Sequence, residues 1–478
     1  MSSTHAESVA IIGGGFSGVM TGVNLARLRA RPLHLTLINQ SRPLGRGAAY
    51  GTRRPEHLLN VAARNMSAFP DQPDHFLQWL RTRFEYEDLP EAELRGKFVP
   101  RRVYGDYLSN LLREHLRTPG AVSLEQTTFL EGEVVAVQAE RRHARVQLAD
   151  GREVRATKVV LATGNEAPAG FPGEAELAAH PGWVGNPWVA WEDRLPAGGG
   201  NVVVLGTGLS AVDALLTLRA RNWTGTVQVV SRHARLPEAH FRGIANPEFP
   251  PPGVDLTSLG LTGLVALMER HCARLRAQGA NPAIVVDQLR PHTQRIWRHL
   301  STAEKREFIR DHAARWNVQR HRIAPEIHAE ITAAVNSGRV SLEAARVERV
   351  VAEGPRLRVE LSGREPLIGD LVINATGPQT RFTETRSVLL QNLLRTGLVV
   401  PDELDLGLRV DEDHTVLDRS GARSPFLLAL GPLLRGTLWE TIAVPELRGQ
   451  ARRVAETILD HPPLADTLPP LVMMEYMI

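Results

Sequence analysis

Twice in this chain an apolar run ends in a glycine-rich turn and then opens into a helical pattern. The first is Val9-Ala10-Ile11-Ile12 followed by Gly13, Gly15 and Gly18. The second is Val202-Val203-Val204-Leu205 followed by Gly206, Gly208, Ser210 and Ala211. In a strand–turn–helix unit the first glycine makes the tight turn, and the second lets backbone N–H groups approach a pyrophosphate. The third small residue lets the helix pack close on the strand. The new helix points its positive end at the phosphates. Two such sites imply two bound dinucleotides, most simply a flavin and a nicotinamide.

The surroundings of the two turns recur in the same order, as expected of a duplicated unit. Val122-Ser123-Leu124-Glu125 and Val340-Ser341-Leu342-Glu343 read as equivalent strands, and each half runs on to an Ala-Thr-Gly ending at Gly164 or Gly377. In the first half 133–148 reads as a strand pair, Asp150-Gly151 as a turn, and 153–163 as a returning strand. The fold class expected is α/β, with two Rossmann-like dinucleotide-binding domains and a helical insertion. Residues 1–165 and 370–478 are assigned to an FAD-binding domain, 196–240 and 337–369 to an NADPH-binding domain, and 241–336 to the insertion. Apolar spacing predicts helices over 73–83 and 104–116, and within the insertion over 264–277, 284–299, 304–316 and 323–336. Pro-rich 247–252 leads into that block. Phe426–Gly431 reads as a buried strand, 440–459 as a helix, and 471–478 as an apolar tail.

At 478 residues, 43% hydrophobic and 23% charged, the chain has the composition of a soluble protein of two or three domains. No apolar run is long enough to span a bilayer, and the short polar Met1–Ser8 does not read as a signal peptide. Cys272 is the only cysteine, which excludes an intramolecular disulfide and a C-x-x-C site; it reads as packing in a cytoplasmic protein. A net charge of +3 gives no reason to expect nucleic acid. His292, His299, His312 and His321 lack metal-ligand spacing, so no metal is expected.

The residue ending the second strand of each unit meets the adenosine ribose. In the first unit that is Asn39, where an acid is usual. In the second the strand ends in Ser231-Arg232, with no carboxylate. A guanidinium there favours a 2′-phosphate, hence NADPH over NADH. Gly45-Arg46-Gly47 and Asn60 read as further contacts to the flavin nucleotide. Gly431 follows the buried strand, and Thr441 and Ala443 lie in Glu440–Glu446, which reads as the start of a helix with Pro445 in its first turn; that helix end would favour negative charge on a reduced flavin.

Further phrases extend the pattern: Gly45-Arg46-Gly47-Ala48-Ala49-Tyr50-Gly51, Leu58-Leu59-Asn60-Val61, Phe76-Leu77-Gln78-Trp79-Leu80 and Pro100-Arg101-Arg102-Val103-Tyr104-Gly105-Asp106-Tyr107-Leu108. Asp287-Gln288-Leu289-Arg290-Pro291, Trp297, Arg320-His321-Arg322 and Gly431-Pro432 follow. As a set they resemble the bacterial FAD/NAD(P)-binding proteins related to flavin-dependent N-hydroxylating monooxygenases. The resemblance spans nearly the whole chain and implies FAD at the first turn and NADPH at the second. Two departures stand out. Asn39 replaces the usual acid, and the F-x-G-x-x-x-H-x-x-x-W/F phrase of Baeyer–Villiger-type monooxygenases has only a misspaced echo in Phe171, Gly173, His180 and Trp183.

The expected activity is an NADPH-consuming monooxygenase in which hydride reaches flavin N5 and oxygen adds at C4a. Such chemistry needs no amino-acid nucleophile, and no catalytic residue is assigned. A flavin reductase without oxygen insertion and a non-catalytic redox sensor are the alternatives. The insertion is the expected substrate region, taking a small molecule such as an amine or amino acid alongside molecular oxygen. Between Arg290 and Arg322 basic residues outnumber acidic ones, and Arg320, His321 and Arg322 are the candidate substrate contacts.

Overall fold

The computed structural model describes residues 7–41, 43–117, 126–141, 143–241 and 249–462. The strand expected at Val122–Glu125, Pro247 and the apolar tail 471–478 lie outside the described residues. Strand β1 (Glu7–Ile12) leads through the first turn into the helix Phe16–Leu28 and back to β2 (Leu33–Asn39). β1 and β2 pair in parallel from Glu7↔Leu33 to Ile12↔Ile38, and β3 (Gln126–Glu131) pairs on the far side of β2. Strands covered on both faces need apolar side chains throughout, and the buried run Val9–Ile12 satisfies that.

A small antiparallel sheet of β4 (Val134–Ala139), β5 (Ala144–Leu148) and β6 (Glu153–Ala156) follows, and β7 (Lys158–Leu161) then joins β1. The single strand expected over 153–163 is therefore two. Thr157 is the corner: its N–H donates to the Ser8 carbonyl (2.8 Å) while its hydroxyl oxygen accepts from the Ser8 N–H (3.1 Å), so the chain passes from one sheet to the other.

The second unit repeats this plan. It contains β8 (Trp183–Val184), β9 (Asn201–Leu205), the helix Leu209–Ala220, β10 (Thr226–Ser231) and β11 (Val340–Ala344). A second antiparallel sheet, β12 (Val347–Glu353), β13 (Arg356–Leu361) and β14 (Arg364–Gly369), precedes β15 (Leu371–Asn374). The chain then returns to the first sheet with β16 (Thr415–Leu417) and β17 (Arg423–Ala429). The large sheets run β16-β17-β7-β1-β2-β3 and β11-β10-β9-β15-β8. The order β3-β2-β1-β7 thus recurs as β11-β10-β9-β15.

Two expected boundaries move. β15 pairs with β9 (Leu371↔Val202), so the second domain extends past 370 to the Ala-Thr-Gly at 375–377. The helix Pro325–Asn336 belongs to the second domain as well, because Ile327 and Ile331, one turn apart, pack with Val202, Val204 and Val227. The insertion proper comprises the helices Gly260–Ala277, Ile284–Leu289, Thr293–His299, Thr302–Glu307 and Ala313–Arg320. Its own core holds Leu264, Leu275, Ile284, Trp297 and Trp316, together with Trp439 from the first domain. The last described helix runs Val444–Ile458, four residues later than expected. It lies on the helix Phe16–Leu28 through Leu447, Ala451, Val454 and Ala455.

Candidate functional site

Gly13 and Gly206 occupy matching positions with φ of 115° and 103°, conformations that favour glycine. A Cβ on Gly13 would collide with the carbonyl of Ala162, and one on Gly206 would collide with that of Ala375. Each turn therefore presses against the strand end that carries its Ala-Thr-Gly. A Cβ on Gly18 would strike the Gly13 carbonyl, while Ala211, the second unit's counterpart, is fully buried. By contrast, Gly164, Gly208 and Gly377 would meet nothing within 4 Å, and Gly15 meets only Gly47. Neither helix start, at Gly15 or Gly208, is capped by a side chain. Helix starts without side-chain caps beside open space are what a pyrophosphate requires, so the residues present fit a dinucleotide at each turn.

The ribose ends differ. Asn39 closes β2, and its Oδ1 accepts the Gly14 N–H (2.8 Å) while its Nδ2 donates to the Ser41 carbonyl. Its amide is thus engaged in holding the turn. In the second unit the Ser231 hydroxyl bonds Thr207 (3.0 Å) and accepts the Ala234 N–H (3.0 Å). Arg232 is exposed, and it makes no ion pair or hydrogen bond with the described residues. Ser210 accepts from the indole N–H of Trp188 (3.1 Å).

The loop at Gly45 lies across the first turn, its N–H donating to the Gly14 carbonyl (2.8 Å). Arg46 does not face open phosphate space. It pairs with Asp106 and donates to the Arg102 carbonyl (3.2 Å). The Asn60 carbonyl is bonded to His240 Nε2 (2.9 Å), whereas the Asn60 side-chain amide has no partner among the described residues.

Gly431, Thr441 and Ala443 do come together. Gln450 Oε1 accepts the Gly431 N–H (2.8 Å), its Nε2 donates to the Thr441 hydroxyl (2.8 Å), and that hydroxyl donates to the Gly431 carbonyl (2.7 Å). Ala443 is the extended residue from which the helix Val444–Ile458 starts. Just before them stand two residues with no sequence signal. Trp439 has φ 61° and ψ −69°, and the Glu440 N–H donates to the Leu438 carbonyl (2.8 Å) across it. This three-residue turn is of the rare, strained hand. Ring stacking on Trp297 (5.0 Å between centroids) and an edge contact with Phe308 (5.1 Å) hold it.

Glu440 is buried, accepting from the Trp316 indole (3.0 Å) and lying 3.2 Å from Arg320. Glu446 takes a forked pair from Arg290 (2.7 and 2.9 Å) and lies 3.6 Å from Arg320. Burial alone would raise the Glu446 carboxyl, but the Arg290 and Arg320 charges hold it well below the usual carboxylate range. The Arg435 guanidinium lies over the Trp439 ring (5.3 Å) near Glu440, and burial lowers its pKa. His321 is pushed down to about 4 by burial and by Arg320, so it is neutral at pH 7. Three guanidiniums here face two carboxylates, leaving a local excess of positive charge.

The expected substrate set Arg320, His321 and Arg322 is not assembled as a unit. Arg320 turns to Glu440 and Glu446; Arg322 turns to Asp287, beneath the Phe241 ring (4.6 Å). Both are buried, and buried charges require internal counter-charges, so each arginine is matched inside the protein. Among the described residues there is no cluster suited to a metal ion, and no helix is long and apolar enough to cross a membrane.

Residues 10–166 match a family model described as FAD-NAD(P)-binding. No curated protein matches the chain. Several solved structures share its fold nearly end to end. The ornithine hydroxylase of Pseudomonas aeruginosa is 15% identical, with 96% of this chain and 100% of that one covered at a TM-score of 0.63. The L-lysine 6-monooxygenase of Pseudomonas syringae is 18% identical, covering 95% and 99% at 0.62. The FAD-bound cadaverine monooxygenase of Erwinia amylovora is 14% identical, covering 98% and 99% at 0.63. The chain thus carries an FAD-NAD(P)-binding domain within a flavoprotein fold of two dinucleotide-binding units.

Proposed function

We propose that the protein is an FAD-dependent, NADPH-consuming monooxygenase acting on a small amine. The observation that carries the reading is the pairing of unlike dinucleotide turns on one duplicated plan. The first lies in the FAD-NAD(P)-binding match, and the second has, just past its ribose strand, an exposed Arg232 without a partner among the described residues. Likeness along the whole chain to enzymes named for ornithine, lysine and cadaverine supports the reaction class.

Gly13, Gly15 and Gly18 would cradle the FAD pyrophosphate, with Asn39 fixing the turn; Gly206, Gly208 and Ala211 would do the same for NADPH. Arg232 would grip the 2′-phosphate, with Ser231 beside it. Gly164 and Gly377 leave the open space each nucleotide needs. When bound, FAD supplies electron storage and oxygen activation. The chain's own part is to hold the Gly431–Thr441–Gln450 triangle and to set the positive end of the helix Val444–Ile458 toward developing negative charge. The excess positive charge around Arg435 adds to that stabilisation.

The test is anaerobic mixing of the yellow holoenzyme with NADPH, followed by oxygen and a panel of amines. Rapid bleaching and amine-dependent, coupled NADPH consumption are expected. Bleaching with prompt, amine-independent reoxidation would make the protein a reductase, and no bleaching would make it a binding protein.

A further inference from the structure

The helical insertion carries a half-open cavity of about 130 Å³. Its walls include Trp297, Trp316, Trp439, Phe308, Leu264 and Leu300. The polar ends of two of these rings are already bonded: the Trp297 indole N–H donates to the Gly436 carbonyl (2.7 Å) and that of Trp316 to Glu440. What they present to the cavity is therefore carbon. Charges among the lining residues are confined to exposed positions: Glu269 and Arg315, of opposite sign, are exposed and make no ion pair among the described residues. An ammonium or carboxylate driven past them would lose its hydration without gaining a counter-charge. An apolar cavity of about 150 Å³ accommodates benzene, so this one matches a single six-membered ring or a compact branched alkyl group.

Its position matters as much as its size. Trp439 forms a wall and stands two residues before Thr441, whose hydroxyl belongs to the triangle at the start of the helix Val444–Ile458. The strained turn at Trp439 is what brings that indole against Trp297 and Phe308. Strain of this kind persists only where its surroundings over-determine it. The short segment 439–441 thus joins the cavity wall to the candidate flavin edge.

We propose that this cavity is the specificity pocket, and that the substrate is an amine carrying an aryl ring or compact branched alkyl group rather than a second charged group. The inference rests on the function proposed above, and the test separates the two. Benzylamine and cadaverine are titrated into the holoenzyme by calorimetry, with tryptophan fluorescence as a second signal. Benzylamine is expected to bind at least about tenfold more tightly, because its ring can fill the cavity without carrying a second ammonium out of water. Leu264→Trp, which fills the cavity, should weaken benzylamine about tenfold or more. Leu300→Ala, which enlarges it, should shift preference toward a naphthylmethylamine and serves if the first variant fails to fold. Equal binding of both amines, tighter cadaverine, or affinities indifferent to cavity size would overturn the pocket. Cavity-dependent binding without benzylamine-stimulated NADPH oxidation would leave the pocket standing and remove the monooxygenase reading.

Discussion

At Gly18 a methyl group has nowhere to go, because the Gly13 carbonyl occupies its place and both belong to rigid backbone. Gly18→Ala is expected to yield protein purified with little flavin, read from its visible absorbance, and with a lowered unfolding midpoint. At Arg232 the expectation is selective. Arg232→Ala should raise the KM for NADPH about tenfold while leaving that for NADH nearly unchanged, since a charge-assisted pair to phosphate is lost. An unchanged NADPH KM would sink the assignment. Glu440 offers a third test. Glu440→Gln leaves Arg320 and Arg435 facing one carboxylate fewer, and removing one partner of a buried pair costs about 3 kcal/mol or more. Urea unfolding measures it. The glycines were legible in the sequence because their backbone conformation admits few other residues. Trp439 was not, since a bulky residue in the left-handed region carries no sequence signature. Arg320 and Arg322 were legible as charges, but their partners Glu440, Glu446 and Asp287 were not, because sequence records charge and not the acid that meets it.

Among the elements, the helices of the insertion show how much apolar spacing conveys and where it stops. It located the helix Gly260–Ala277 and the runs that follow, but it did not show that Pro325–Asn336 faces the second sheet, since an apolar stripe does not name its partner. The same blindness merged β6 and β7: alternation continues through Thr157 while the chain changes sheets. One join can be tested. Ser301 and Glu304 form a reciprocal cap on the helix Thr302–Glu307, and Glu304 Oε1 also accepts the Leu261 N–H (2.8 Å), tying it to the helix Gly260–Ala277. Ser301→Ala should destabilise the protein by about 1 kcal/mol in denaturant unfolding.

For the molecule as a whole, buried histidines contribute to its response to acid, three of them most strongly. His240, His321 and His414 are each pushed down to about 4, chiefly by burial and then by Arg322, Arg320 and Arg298 respectively. Unfolded, they would take up protons near their ordinary value of about 6.5. Between those values the unfolded chain binds more protons, so their contribution is complete above about pH 6.5 and is lost as pH falls toward 4. Unfolding midpoints across that window should decline steadily, and His414→Gln should flatten the slope. The duplicated architecture was legible as a whole because its repeats recur in order. The seam between domains was not: Arg101 reaches Asp213 (2.8 Å) and His57 reaches Thr217 (2.9 Å) on the helix Leu209–Ala220, contacts between positions far apart in the chain.

The order of strands in the first sheet also fixes when it can be finished. β7 is flanked by β1, made early, and by β17, made nearly last, with Leu427 opposite Val159. A chain emerging from the ribosome must therefore carry β7 as a bare edge while the whole second unit is being synthesised. Bare edges invite the wrong partner. The helix Val444–Ile458, which covers the first fingerprint helix, arrives later still. Uptake of FAD belongs to the last moments of biosynthesis, and chains stopped before β17 should emerge colourless and prone to associate.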